Sequence, residues 1–209
     1  KQMSAEQKVQ KTKANGITEG SIFGQLLLFF FPILFGTFFQ QLYNTADAVV
    51  VGRFVGKQAL AAVGGTTSTL INLMVGFFVG LSSGATVVIS QYYGAKKADK
   101  VHWAVHTSVA FSVIGGVLFM AVGLVGARWA LTAMHTPEDV MDHAVTYIRI
   151  YFLGMVPNLL YNMGAGILRA VGDSRRPLYF LIGSCFVNII LDVVLVAVLR
   201  MGVAGAALA

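Results

Sequence analysis

The chain has 209 residues, of which 56% are hydrophobic and only 11% charged; its mean hydropathy is +0.74 and its formal net charge +6. Soluble domains carry about 25% charged residues, so this composition excludes water as the main solvent. The basic residues are spread over separate polar segments instead of being gathered on one soluble face, which excludes nucleic acid as the natural partner.

Residues 1–20 are polar and basic, and the apolar run that follows is about twice the length of a signal-peptide core. They are read as a cytoplasmic N-terminal segment that is not cleaved. Five runs then reach the length of about 20 apolar residues that a bilayer span needs: 22–51, 59–93, 101–125, 143–168 and 178–199. A sixth begins at Gly202. The expected fold class is all-α, a polytopic membrane helix bundle with five complete transmembrane helices plus the start of a sixth, within one transmembrane unit over residues 21–209.

Orientation follows from the basic residues, because short cytoplasmic loops carry the excess of Lys and Arg. The segments assigned to the inside hold Lys1, Lys8, Lys11, Lys13, Lys96, Lys97, Lys100, Arg169, Arg175 and Arg176. Those assigned to the outside hold only Arg53, Lys57, Arg128 and Arg200, with Arg149 in the outer part of the fourth span. The chain starts at Lys1 without an initiator Met and stops at Ala209 inside an apolar run, so it reads as the first half of something longer.

The first span carries Gln40, Tyr43, Asn44 and Asp47 at spacings that place them on one helical face. That face is wet, and an ionisable group within a span points to an ion or substrate pathway. Pro32 lies upstream, where it removes a backbone hydrogen bond and crowds the carbonyl of Leu28. It serves as a hinge, or else as a static kink. In the second span Ser68, Asn72, Gly76, Gly80 and Gly84 form a small-residue face suited to close helix packing. His102 and His106, at the start of the third, have metal-pair spacing but no third ligand, and are read as interfacial polar residues.

Thr136-Pro137-Glu138-Asp139 marks the start of the fourth helix, with a capping hydroxyl, Pro at the first helical position and acids toward the positive end of the dipole. Tyr147, Asn158 and Asn162 run along that helix and line the same cavity, although Tyr147 also suits an interfacial belt. Arg149 points about 200° away from Tyr147 and snorkels to headgroups. Asp173-Ser174-Arg175-Arg176-Pro177 makes a short basic turn into the fifth span. There Ser184, Asn188 and Asp192 recur every four residues on one face. Cys185 is a lone thiol with a packing role. Counted from Arg53 and Arg200 at 1.5 Å per residue, Asp47 and Asp192 lie at depths of about 9 and 12 Å, compatible with one site. Asp47, Asp192 and the Asn188 carbonyl make a hard-oxygen set for a small cation; alternatively, one carboxylate holds a proton, or the acids are hydrogen-bonded structural groups.

These residues carry a resemblance. Pro32, the string Gln40-Gln41-Leu42-Tyr43-Asn44-Thr45-Ala46-Asp47 and Gly52 resemble the first helix of multidrug and toxic compound extrusion (MATE) transporters. Gln91-Tyr92-Tyr93-Gly94-Ala95-Lys96, Leu168-Arg169-Ala170-Val171-Gly172-Asp173 and Asn188 with Asp192 are similar to the same family in order and spacing, nearest to its bacterial DinF-like branch.

The resemblance implies the N-terminal lobe of a twelve-helix antiporter, lacking the C-terminal lobe. Such a protein exports cationic or amphipathic drugs or metabolites in exchange for Na⁺ or H⁺ by alternating access, in the plasma membrane. It further implies an ion site at Asp47, Asn188 and Asp192 with Tyr147 nearby, and a drug cavity near Gln40, Tyr43 and Asn162. Beyond the coupling ion and the lipid bilayer no cofactor is implied, and no nucleophile–base pair or metal set supports an enzyme. Two alternatives stand: a lipid-linked oligosaccharide flippase of the same superfamily, which would want basic cavity residues for pyrophosphate, and a non-transporting membrane fragment or assembly partner.

Overall fold

The computed structural model describes residues 22–209, and the expected cytoplasmic segment 1–20 lies outside the described residues. All regular structure among the described residues is helical. In chain order the elements are α1 (Ile22–Phe54), α2 (Lys57–Gly64), α3 (Thr66–Gly94), α4 (Ala98–Ala133), α5 (Glu138–Leu153), α6 (Met155–Ala170), α7 (Arg175–Asp192), a π-helical segment (Val193–Val198) and α8 (Gly202–Leu208). Four helical stretches are long and apolar enough to cross a membrane: Leu26–Phe54, Lys57–Gly94, Ala98–Ala133 and Arg175–Val198. Their most apolar parts are at most 17% buried within the chain, so these helices turn hydrocarbon outward, as lipid-facing helices do.

The fourth expected span departs from a single helix. It is divided into α5 and α6, of 16 residues each, at Gly154. Pro157 supplies the reason: it has no N–H for the carbonyl of Leu153, and its ring crowds that carbonyl. The backbone restarts through Asn158 N–H donating to Gly154 O at 3.1 Å. The second run is likewise interrupted at Gly65, whose N–H closes α2 onto Ala61 O at 2.9 Å. By contrast α1 runs unbroken through Pro32.

Three helix ends close by the same device. Lys96, His135 and Gly172 are left-handed, at φ 56°, 56° and 90°, and each donates to the carbonyl three residues back while the next residue donates five back. Glycine is the least strained residue there, yet two of the positions hold Lys and His, and the lysine's charge suits the negative end of a helix dipole.

The start of α5 differs from expectation. Pro137 is itself the cap residue, and the Thr136 hydroxyl, which was expected to cap the helix, is buried against Thr66 Oγ1 at 2.7 Å. Glu138 and Asp139 do occupy the first turn. At α7, Asp173 Oδ1 accepts from the N–H groups of Arg175 and Arg176, both at 3.1 Å.

Packing falls into two regions. The larger core joins α3, α4, α5 and α6 through Leu70, Phe78, Leu131, Ile148, Phe152 and Met155. A second, smaller core joins Val51 of α1, Ala59 and Val63 of α2, Val196 of the π-helical segment and Val203 and Ala206 of α8. Close approach in the larger core depends on α4: a Cβ at Gly123 would collide with the Phe152 ring, and one at Gly116 would come within 2.9 Å of Val156 Cα. The small-residue face expected on the second span does not have that role within this chain. Gly76, Gly80 and Gly84 have nothing within 4 Å of an added Cβ, and Asn72 is exposed.

Candidate functional site

α1 and α7 pack along each other, and this pairing brings the two intramembrane acids together. The buried stripe of α7 includes Pro177, Cys185 and Asp192, so the face that carries Asp192 is turned inward. Cys185, seven residues before Asp192 on that stripe, lies near Tyr43 of α1, in keeping with a packing role. Asp47 lies four residues beyond Tyr43, close enough to Asp192 for the charge on one carboxyl to act on the other. Asp192 is 0% exposed; Asp47 and Asn188 are half-buried.

The hydrogen bonding of this group is unusual. Asp47 Oδ1, Asn188 Oδ1 and both side-chain oxygens of Asp192 are buried and accept no hydrogen bond. More than nine in ten buried polar groups have a partner, and an uncompensated buried charge is strongly destabilising. Four bare oxygens on two adjacent helices form a hard-donor set that a small cation or a proton would complete. Among the described residues no donor reaches these four oxygens. Immediately after Asp192 the chain winds into the π-helical segment, with Leu199 N–H donating to Val194 O at 2.9 Å. Such bulges are frequent at functional positions.

Tyr147 of α5 reaches this group. It packs against the second core, and its hydroxyl is within electrostatic reach of Asp47 and Asp192. From it a polar line continues down the divided helix. Tyr151 accepts from Asn158 Nδ2 at 3.2 Å, Asn162 Nδ2 donates to Asn158 Oδ1 at 2.7 Å, and Ser82 Oγ of α3 donates to Asn162 O at 3.2 Å. Tyr43 faces Tyr151 across the gap.

Gln40 and Asn162, with Pro32, line one cavity of 130 Å³ between α1, α6 and α7. Asn162 also borders a larger one of 520 Å³ between α1, α3 and α6. Arg169 lines both, and its place there was not evident from sequence. Two stripe residues do not join the group: Asn44 is exposed and donates to Gln41 Oε1 at 3.2 Å, and Ser184 is exposed. Arg149 is exposed, away from the site. Tyr151 is a further residue that sequence reading missed, although its spacing of four from Tyr147 and seven from Asn158 puts it on their face.

Comparison with known proteins gives a consistent result. The MatE family profile matches residues 32–194. The chain is 31% identical over 195 residues to the probable multidrug resistance protein YpnP of Bacillus subtilis, covering 93% of this chain and 44% of that protein. It is 34% identical over 176 residues to the probable multidrug resistance protein YoeA of the same organism, covering 84% and 38%. The DNA damage-inducible protein F of Escherichia coli is 28% identical over 179 residues. A crystal structure of MATE in complex with MaD3S superposes with a TM-score of 0.85 at 27% identity, covering 93% of this chain and 44% of that one. The chain thus spans less than half the length of the curated relatives it matches.

Proposed function

The chain belongs to the MatE family, and from that premise we propose that it forms the N-terminal lobe of a DinF-like antiporter. The whole protein exports cationic or amphipathic drugs or metabolites in exchange for Na⁺ or H⁺. In this reading five spans and the start of a sixth cross the plasma membrane, α5 and α6 together making one of them, and the N-terminus is cytoplasmic. A C-terminal lobe completes the transporter.

The observation that carries the proposal is the set of four buried, unpartnered oxygens on Asp47, Asn188 and Asp192. A cation or proton arriving there removes their desolvation cost and so favours the conformation in which they converge. Transport follows only if the alternative conformation binds the ion less well, since a ligand shifts an equilibrium by its differential affinity alone. Tyr147 stands between the acids and the hydrogen-bonded run Tyr151, Asn158 and Asn162, which ends at the cavity bordered by Gln40 and Pro32; this arrangement supports communication between ion and substrate sites. Pro32 acts as the hinge: with no N–H at that position, α1 can change its bend without breaking a backbone hydrogen bond there.

The flippase alternative meets a single basic side chain, Arg169, among the residues lining these two cavities. Pyrophosphate recognition favours several such groups. The test is ion-driven efflux by the intact protein carrying Asp47→Asn. Coupled export is expected to fall at least tenfold with the protein still inserted in the membrane, and export at the wild-type rate would reject the assignment.

A further inference from the structure

The turn between α3 and α4 borders a cavity of 620 Å³ that the transport reading does not use. Its rim carries Lys96, Lys97, His102 and His106, and its floor is apolar, from Val101 and Val105. No carboxylate is among the residues lining it; Asp99, on the same turn of α4, is outside that set. His102 and His106 face each other with their Nε2 atoms 3.0 Å apart, so one ring donates to the other. The neighbouring surface has the character of a membrane interface. Trp103 is 73% exposed and Tyr93 49% exposed, and Lys100 Nζ lies 5.6 Å from the centre of the Tyr92 ring. Aromatic residues of this kind are enriched at headgroup level, and basic pockets beside membrane helices attract anionic headgroups.

We propose that this cavity binds the phosphate headgroup of an anionic phospholipid from the surrounding bilayer. Lys96 and Lys97 supply the counter-charge, the imidazole pair supplies hydrogen-bond donors, and the acyl chains run down the apolar wall past Val105. Several features favour a lipid over a soluble anion. The floor is hydrocarbon, the rim is cationic, and the flanking Trp and Tyr set the site at the depth where a phosphodiester lies. A transition metal held by the two histidines would need a further protein ligand, and among the described residues no group of three or more His, Cys, Asp or Glu gathers. The proposal stands on membrane insertion alone and is independent of which ion or drug is carried.

The test uses the intact protein with Trp129→Phe, which leaves Trp103 as this chain's tryptophan reporter, in bilayers of phosphatidylcholine containing about one-third phosphatidylglycerol. Brominated phosphatidylglycerol is expected to quench Trp103 more strongly than brominated phosphatidylcholine at the same fraction. Lys96→Gly relieves a left-handed backbone position while removing a charge, so folding is preserved, and the apparent preference should fall about fivefold. The combination of Lys96→Gly, Lys97→Gln, His102→Gln and His106→Gln should abolish it. Equal quenching by the two lipids in the unaltered site, or a preference that survives Lys96→Gly undiminished, overturns the proposal. So does loss of the preference on adding inorganic phosphate, which would assign the cavity to a soluble anion.

Discussion

Asp192→Asn and Asp192→Leu offer a prediction whose sign separates a ligand-binding carboxylate from a structural one. The wild-type side chain is fully buried and neither oxygen accepts a hydrogen bond. Each buried acceptor without a partner costs about 1–3 kcal/mol, so in ion-free buffer the side chain works against folding by about 2–6 kcal/mol. Leu removes both acceptors and breaks no hydrogen bond, so Asp192→Leu should be as stable as the wild type or more so when Na⁺ is replaced by a large organic cation. Asp192→Asn keeps a buried acceptor and adds an amide donor, so it should change little. A ligand at a hundredfold excess over its Kd adds about 2.7 kcal/mol to wild-type stability, and the variants should lose that response. Cys185 provides the readout, because it is the chain's one cysteine and is buried on the same stripe of α7. A fluorogenic maleimide therefore follows its exposure as temperature rises. Removing a structural carboxylate would instead strand the groups it had paired with and cost about 3–5 kcal/mol, with the ion response intact. Destabilised variants that still respond to the ion would refute the reasoning from unpartnered oxygens.

Two further predictions concern the frame around the site. Gly123→Val drives a side chain into the Phe152 ring, so it should destabilise the α4–α5 contact by about 1–3 kcal/mol or more. Adding Phe152→Ala should make the double variant less unstable than the sum of the two single changes, a non-additivity that a thermal double-mutant cycle detects. Tyr151→Phe removes the acceptor of the Asn158 amide at 3.2 Å and should cost about 0.5–1.5 kcal/mol. If Tyr151 belongs to the polar line, export should lose ion dependence faster than it loses substrate affinity, which efflux rates measured against ion and drug concentration distinguish.

Sequence made the acids and their helices legible because the relevant signals are local. A carboxylate inside an apolar run stands out at once, and the four-residue step from Asn188 to Asp192 fixes a shared face whatever the tertiary structure. The long helices α1, α3 and α4 follow from run length. Other features depend on backbone hydrogen bonding, which average hydropathy does not register. Pro157 was visible, yet the apolar run continued through it, so the break at Gly154 was hidden. The π-helical segment after Asp192 lies in Val-rich sequence that reads as ordinary helix. Small residues posed a different problem: Gly76, Gly80 and Gly84 have helical spacing but no neighbour within this chain, whereas Gly116 and Gly123, seven apart on α4, make the close contacts. Spacing identifies a smooth face and leaves its partner open.

In the proposed reading, the two packing regions let the acid group be both buried and responsive. Asp47 and Asp192 belong to the α1–α7 pair, while the polar line from Tyr151 to Asn162 lies on α5 and α6, where Tyr151 packs against the larger core. α6 and α7 share few contacts, whereas α5 packs on α2 and α8 and carries Tyr147 against the smaller core. In the proposed reading, a change of charge at the acids therefore acts on the α1–α7 pair and the smaller core and leaves the larger core in place. If the acids lay within the larger core, the same ligation energy would have to disrupt contacts such as Phe152 against Gly123. Loosening the smaller core with Val196→Ala should thus weaken the proposed coupling between ion and export before it disturbs the larger core.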